Sequence, residues 1–197
     1  MKRTLAGLTG ALLLAGAAHA QQRPGGDVRP FLGFGLTYGG DKLESFDFSN
    51  DTSSTVRAGN LVDLKAGVDF LVGGPFSMQA SIGYHFDGVN GSNGDYSFSR
   101  VPFEFLGYYS INPQFRIGGG VRQSFDAHVD SNGVVGGLDS SFDAKTGFVV
   151  EAEYFPWHRI GIKFRAVSEK FEGKDGVYRG QKFDGSHAGV YGVFYFN

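Results

Sequence analysis

The chain has 197 residues, with 18 Lys and Arg against 20 Asp and Glu, no cysteine, 32 glycines and 20 phenylalanines. The lack of cysteine excludes a disulfide scaffold and a thiol nucleophile. Abundant glycine beside abundant phenylalanine fits closely packed strands with an aromatic exterior and excludes a collagen-like or disordered chain.

Residues 1–20 read as a cleaved export signal. Lys2 and Arg3 form the basic start, Leu5 to Ala17 the short apolar run, and Ala18-His19-Ala20 the cleavage site before Gln21. That run is shorter than the roughly 20 residues a spanning helix needs. Cleavage leaves one domain, residues 21–197, in which the 18 basic residues fall to 16 against 20 acidic ones. This acidic balance argues against nucleic acid as a partner. Beyond the signal no apolar run reaches helical spanning length, so any membrane crossing must use strands.

Eight segments then alternate with a period of two, which puts successive side chains on opposite faces of a strand. From Phe31 to Gly39, Leu32, Phe34, Leu36 and Tyr38 alternate with Gly33, Gly35, Thr37 and Gly39. From Val62 to Phe70, Val62, Leu64, Ala66, Val68 and Phe70 alternate with Asp63, Lys65, Gly67 and Asp69. From Phe76 to Phe86, Phe76, Met78, Ala80, Ile82, Tyr84 and Phe86 oppose Ser77, Gln79, Ser81, Gly83 and His85. From about Arg100 to Tyr109, Val101, Phe103, Phe105 and Tyr109 oppose Arg100, Glu104 and Tyr108. From Phe115 to Gln123, Phe115, Ile117 and Val121 oppose Arg116 and Arg122. Next, Phe148, Val150, Ala152 and Tyr154 oppose Glu151 and Glu153, and Ile160, Ile162, Phe164 and Ala166 oppose Lys163 and Arg165. Last, Ala188, Val190, Phe194 and Phe196 oppose Gly189, Tyr191 and Tyr195. Each segment is close to the roughly 9–11 residues of a tilted membrane strand.

The connections alternate in length. Tight turns are expected at Gly73-Gly74-Pro75, Asn112-Pro113 and Pro156-Trp157-His158, and long polar loops at Asp41–Asn60, Asp87–Tyr96, Asp126–Asp143 and Glu172–Ser186. Aromatics gather near the short-turn rim (Phe76, Tyr109, Phe115, Tyr154, Trp157, Phe196) and near the other (Tyr38, Tyr84, Phe86), as in interfacial girdles. The pattern predicts an all-β protein, an eight-stranded antiparallel up-and-down transmembrane β-barrel with lipid outside and a polar interior. A soluble barrel of lipocalin type shares the strand count, but the export signal, aromatic rims and loop asymmetry favour the membrane.

The segment from Phe31 to Phe196 resembles eight-stranded outer-membrane barrels of the OmpA-transmembrane, OmpX and OmpW type, and Val193-Phe194-Tyr195-Phe196 is similar to the terminal signal read by their assembly machinery, although Asn197 follows the aromatic. The resemblance implies the cell outer membrane, with its lipid and lipopolysaccharide and that assembly machinery as partners. It implies no activity.

Inside such a barrel Asp63, Asp69, Asp87, Glu104, Glu151, Glu153 and Glu169 would face Lys65, Arg100, Arg116, Arg122, Lys163 and Arg165. Eight strands leave room only for side chains, and buried charges must be paired. A salt-bridge plug is therefore expected ahead of a narrow solute passage. The turn near Pro156 should set Glu151 and Glu153 opposite Lys163 and Arg165, and the hairpin after Phe86 should bring Asp87 near Arg100.

Enzymatic readings rest on His85 with Asp87 and His187 with Glu169 as acid–base pairs. His85 and His187 are expected far apart around the barrel, and Ser186 and His187 on opposite faces. His128, Asp130, Asn132, Gly133 and Asp139 have calcium-loop spacing, but His stands first and Asp last, where Asp and a bidentate Glu belong. Gly33-Phe34-Gly35 and Gly118-Gly119-Gly120 lie within strands without a following helix, so they predict no phosphate loop. No cofactor, no metal and no catalysis are expected. A monomer is expected, acting through its loops: Asp41–Asn60, with Phe46 and Phe48, and Glu172–Ser186, with Lys174, Tyr178, Arg179 and Lys182.

Overall fold

A computed structural model describes residues 28–47, 53–91, 94–133 and 136–196. The expected export signal, Phe48 and Asn197 lie outside these residues. The strands are β1 (Val28–Gly39), β2 (Lys42–Asp47), β3 (Ser53–Arg57), β4 (Leu61–Gly73), β5 (Phe76–Gly91), β6 (Gly94–Asn112), β7 (Phe115–Ser131), β8 (Ser140–Trp157), β9 (Ile160–Gly173), β10 (Lys182–Asp184) and β11 (His187–Tyr195).

Eight of them close a ring in the order β1-β4-β5-β6-β7-β8-β9-β11, antiparallel throughout, with Phe31 of β1 opposite Tyr195 of β11. Closure leaves no sheet edge to satisfy in lipid. Alternation sets the faces. Leu32, Phe34, Ile82, Phe103, Ile117, Val150 and Phe164 are exposed on the outside, while Asp63, Gln79, Glu104, Arg122 and Lys163 are buried within. Aromatic pairs mark the short-turn rim, Phe115 stacking on Tyr154 at 4.7 Å and Phe76 meeting Tyr109 at 5.4 Å.

Tight turns join β4–β5 at Gly74-Pro75, β6–β7 at Pro113-Gln114 and β8–β9 at His158-Arg159, so Pro156 and Trp157 end a strand instead of forming the turn. Asn112 shapes the second, its carboxamide oxygen accepting the Gln114 and Phe115 amides at 2.9 Å each. Two inward glycines are required by close approach. A Cβ on Gly35 would fall 2.2 Å from the Tyr191 ring, and one on Gly118 2.4 Å from the Tyr108 ring. Each glycine lets a tyrosine lie flat on a neighbouring strand.

The far end differs from expectation. The polar stretches at Asp87–Tyr96 and Asp126–Asp143 are largely strand, because β5 to β8 run 16, 19, 17 and 18 residues and rise past the lipid-facing belt. In this crown apolar residues turn inward. Tyr96, Phe98, Ala127, Val129, Phe142 and Phe171 form one buried cluster with Leu43, Val56, Ala58 and Tyr178. Two bulges set the change of face. One places Asp126 at φ 49 between inward Ser124 and inward Ala127; the other lies between Lys145 and Phe148.

The segment expected as the loop Asp41–Asn60 is a lid. Its β2–β3 hairpin folds over the mouth and buries Leu43, Val56 and Ala58 in the crown cluster. The chain enters it through Gly39 and Gly40, at φ 145 and 77, and leaves it through Leu61, held at φ 73.

Candidate functional site in the barrel interior and at its outer mouth

The buried charges form three connected tiers. Next to the short turns, Asp69 accepts from Arg29 at 2.6 Å and from Arg116 at 2.9 Å. Arg116 also reaches Glu153 at 2.7 Å and donates to the Tyr195 hydroxyl at 2.8 Å. Lys163 pairs with Glu151 at 2.7 Å and donates to Gln79 at 2.8 Å and Tyr108 at 2.9 Å; the Tyr108 hydroxyl also donates to Glu151. These contacts join β5, β6 and β9 across the bore, so side chains from opposite walls meet.

The middle tier is organised by Glu104. Its carboxylate accepts from Arg122 at 2.7 Å, Arg165 at 2.8 Å and Lys65 at 2.9 Å, tying β6 to β7, β9 and β4. Asp63 lies beside it, accepting from the Tyr191 hydroxyl at 2.7 Å and facing Arg122 at 3.6 Å and Lys65 at 3.7 Å.

The upper tier lies under the lid. Glu169 accepts from the Ser124 hydroxyl and lies 3.3 Å from Arg122 Nε and 3.5 Å from Arg100 Nε. Two imidazoles, His85 and His187, meet edge to face with centroids 4.9 Å apart. The bore is narrow enough for side chains of β5 and β11 to touch across it, which corrects the expectation that these histidines lie apart.

Each charged residue singled out in the sequence for the interior is buried. Some partners differ. Glu151 and Glu153 do lie opposite Arg165 and Lys163 in register, but Glu153 has its shorter ion pair with Arg116. Arg100 stands opposite His85 and reaches Glu169, whereas Asp87 accepts the Arg57 amide of the lid at 2.7 Å. Sequence reasoning missed Arg29, which continues the inward parity of β1 but sits beyond Pro30, before the expected strand. With Arg29 the buried charged groups, among the described residues, are seven Asp or Glu and seven Lys or Arg. An interior balanced in this way offers no fixed charge of one sign to select an ion.

The acid–base pairs considered from sequence do not form. His85 bonds to Arg100, Thr37 and the Asn60 carbonyl, and His187 to the Gly185 carbonyl, while Ser186 accepts the Glu169 amide at 3.4 Å. The calcium-loop residues are dispersed: Asp139 accepts the Ser131 amide and hydroxyl at 2.8 Å each, and His128 lies between Asp126 and Asp130. Among the described residues no group of three or more side chains is placed to hold a metal ion. A groove of about 800 Å³ exists, but Leu32, Phe34, Leu64, Ile82 and Phe194 line it on the outer wall.

On the crown, Lys174, Arg179 and Lys182 are exposed as expected for a contact surface, and Tyr178 is not; its hydroxyl bonds to Tyr96 at 2.8 Å inside the apolar cluster. Burial pushes both phenols above the ordinary tyrosine value, and for Tyr96 the bond to Tyr178 adds to the rise.

The chain is similar in structure to Ail, the attachment invasion locus protein of Yersinia pestis, at 10% identity and TM-score 0.48, with 86% of this chain and 97% of that chain covered. It is similar to Neisserial surface protein A at 9% identity and TM-score 0.47, with 86% and 97% covered. Outer membrane protein AlkL follows at 12% identity and TM-score 0.39, with 87% and 90% covered. No curated protein sequence matches. The family model "Outer membrane protein beta-barrel domain" matches residues 7–191. With its closed ring of eight strands, the chain belongs to that family and is a β-barrel of the outer membrane.

Proposed function

We propose that this protein is a closed, non-catalytic barrel whose interior is a structural plug and whose crown makes surface contacts. The observation that carries the reading is the balanced, wall-to-wall ion-pair interior centred on Glu104. Charges so paired hold register and leave no room for a hydrated solute. A narrow passage would require the Glu104 hub to come apart. The acid–base readings of His85 and His187 would require each ring to be oriented by a carboxylate, and both are oriented by carbonyls instead. Alanine substitution of His85, Asp87, Glu169 and His187 is expected to leave outer-membrane lipid composition unchanged.

The crown is two-sided. The β6–β7 side carries exposed Asp95, Asp126 and Asp130. The β8–β10 side carries exposed Lys145, Lys170, Lys174, Arg179 and Lys182 beside Asp143, Glu172, Asp175 and Asp184, with Lys145 paired to Glu172 at 3.5 Å and Lys174 to Asp143 at 3.3 Å. The basic side suits anionic partners such as phosphorylated glycolipid or a surface polyanion. In this reading residues 1–20 are the cleaved signal and residues 21–197 the barrel domain. Val193 to Phe196 serve assembly, and the barrel works as a monomer. Retention on a sulfated polysaccharide matrix, compared with uncharged dextran, tests the contact surface. Lys174→Gln with Arg179→Gln and Lys182→Gln should abolish retention without changing the heat-dependent gel mobility of the barrel. Equal retention by wild type and variant would remove this surface from the account.

A further inference from the structure

The lid rests directly on the histidine pair. Asn60, where the hairpin returns to the barrel, places its carbonyl 3.0 Å from His85 Nε2. A Cβ on Gly59 would come within 2.9 Å of His187 Cβ. Besides the apolar packing of Leu43, Val56 and Ala58 in the crown cluster, polar contacts hold the lid: Arg57 N–H and the Asn60 side chain to Asp87, the former at 2.7 Å, Asp41 N–H to the Asp184 carbonyl at 2.6 Å, and Asp184 N–H to the Asp41 carboxylate at 2.8 Å. Gly39 and Gly40 flank one end, and Leu61, left-handed at φ 73, closes the other. A leucine adopts that backbone only under strain, which the closed position holds in place.

The same contacts define both protonation states. His85 Nδ1 faces Arg100 at 2.9 Å and Arg122 at 3.3 Å. Guanidinium groups only donate, so Nδ1 is bare and Nε2 carries the proton given to Asn60. His187 Nδ1 lies 2.7 Å from the Gly185 carbonyl and must carry its proton, which leaves Nε2 bare, buried and without a hydrogen-bond partner. With the lid closed, His85 is therefore neutral, and a second proton on His187 would find no acceptor.

We propose that the β2–β3 hairpin is an acid-released lid, held shut over the barrel mouth while His85 and His187 stay neutral and freed when they take up protons.

A second proton on His85 displaces two guanidinium contacts, and one on His187 adds a cation beside the Arg100, Arg122 and Arg165 charges. The facing carboxylates are already engaged, although Asp63 Oδ1 and Glu169 Oε2 accept no hydrogen bond. Glu169 of β9 is shared by Arg100, Arg122 and Ser124; Asp63 of β4 by Tyr191, Arg122 and Lys65; and Asp87 of β5 caps the lid amide. Thr37 of β1 is neutral, and Glu44 of the lid lies by the Tyr96–Tyr178 pair instead. Asp184, outside the barrel, has its carboxylate held below the ordinary value by the Ser186 hydroxyl and amide and meets the lid through its backbone. The open form, with hydrated rings, binds protons near the ordinary imidazole value of about 6.5. The closed form therefore holds fewer protons. Its advantage is complete above that value and falls about tenfold per pH unit for each ring below it.

Because the chain has no cysteine, one introduced thiol reports the lid. Ala58→Cys is buried in the closed position, and Val177→Cys, on the exposed outer turn, is the reference. The methanethiosulfonate labelling rate of Ala58→Cys, divided by that of the reference, is expected to rise at least about tenfold from pH 7.5 to 5.5. His85→Gln with His187→Gln should flatten the rise, each single change should reduce it, and His128→Gln should leave it intact. A flat wild-type ratio, or an undiminished rise in the double variant, overturns the proposal. If the double variant fails to assemble, ¹⁵N-histidine spectra of the wild type decide. Proton uptake by both rings in step with labelling supports the lid, and faster labelling with both rings still neutral overturns it.

Discussion

Within the lipid belt the barrel is filled by Arg116, Arg122, Lys163, Glu104 and their partners, whereas in the crown it is filled by Tyr96, Phe98, Phe142 and Phe171. Both interiors are closed, yet their fillings are opposite. The belt spends its apolar side chains on lipid, so its inner face is polar and must neutralise itself. Above the belt water replaces lipid, and the ordinary rule of apolar inside and polar outside returns. The bulges near Asp126 and between Lys145 and Phe148 are where β7 and β8 exchange one rule for the other.

The largest effect is expected in the belt. Arg122→Ala removes one cation from Glu104, Asp63 and Glu169 at once, and urea unfolding in micelles should show a loss of about 3–5 kcal/mol, the cost of breaking a buried pair. In the crown, Phe171→Ala should cost about 3 kcal/mol, but locally: amide exchange should accelerate in β2, β3 and β10 and stay unchanged near Glu104. If the whole barrel loosens, belt and crown are one cooperative unit and the contrast fails.

Alternation made the ring, its faces and its charged interior readable because period two persists unbroken from the short turns to the top of the belt. It stopped being readable at Gln123 and resumed at Phe148, the positions flanking the bulges, where one inserted residue reverses the parity. The crown's sequence resembles polar loop because its inward Phe98, Val129 and Phe142 are interspersed with Asp95, Asp130 and Asp143. A short strand pointing apolar residues inward needs the opposite solvent assumption from the belt. The lid could not be read from local pattern, since Val56 and Ala58 are buried by residues about 40 to 120 positions away. The meeting of His85 and His187 depends on bore width, which spacing along the chain does not encode.

Smaller effects sharpen the boundary. Tyr96→Phe removes the bond to Tyr178 and should cost the crown about 1 kcal/mol, visible as faster lid exchange. Both phenols are pushed up by burial, so their contribution is complete below the ordinary tyrosine value of about 10 and is lost as pH rises through the folded values. Alkali should therefore loosen the crown. Lys145→Gln, which removes an exposed partner of Glu172, should change stability by no more than about 0.5 kcal/mol.

Conductance in a planar bilayer tests the central claim of a self-neutralised, side-chain-filled belt most directly. Protein shown to be folded by its heat-dependent gel mobility should give no stable conductance steps at neutral pH. Large, stable steps from the same preparation would contradict the account, because they require an aqueous path through the Glu104 hub.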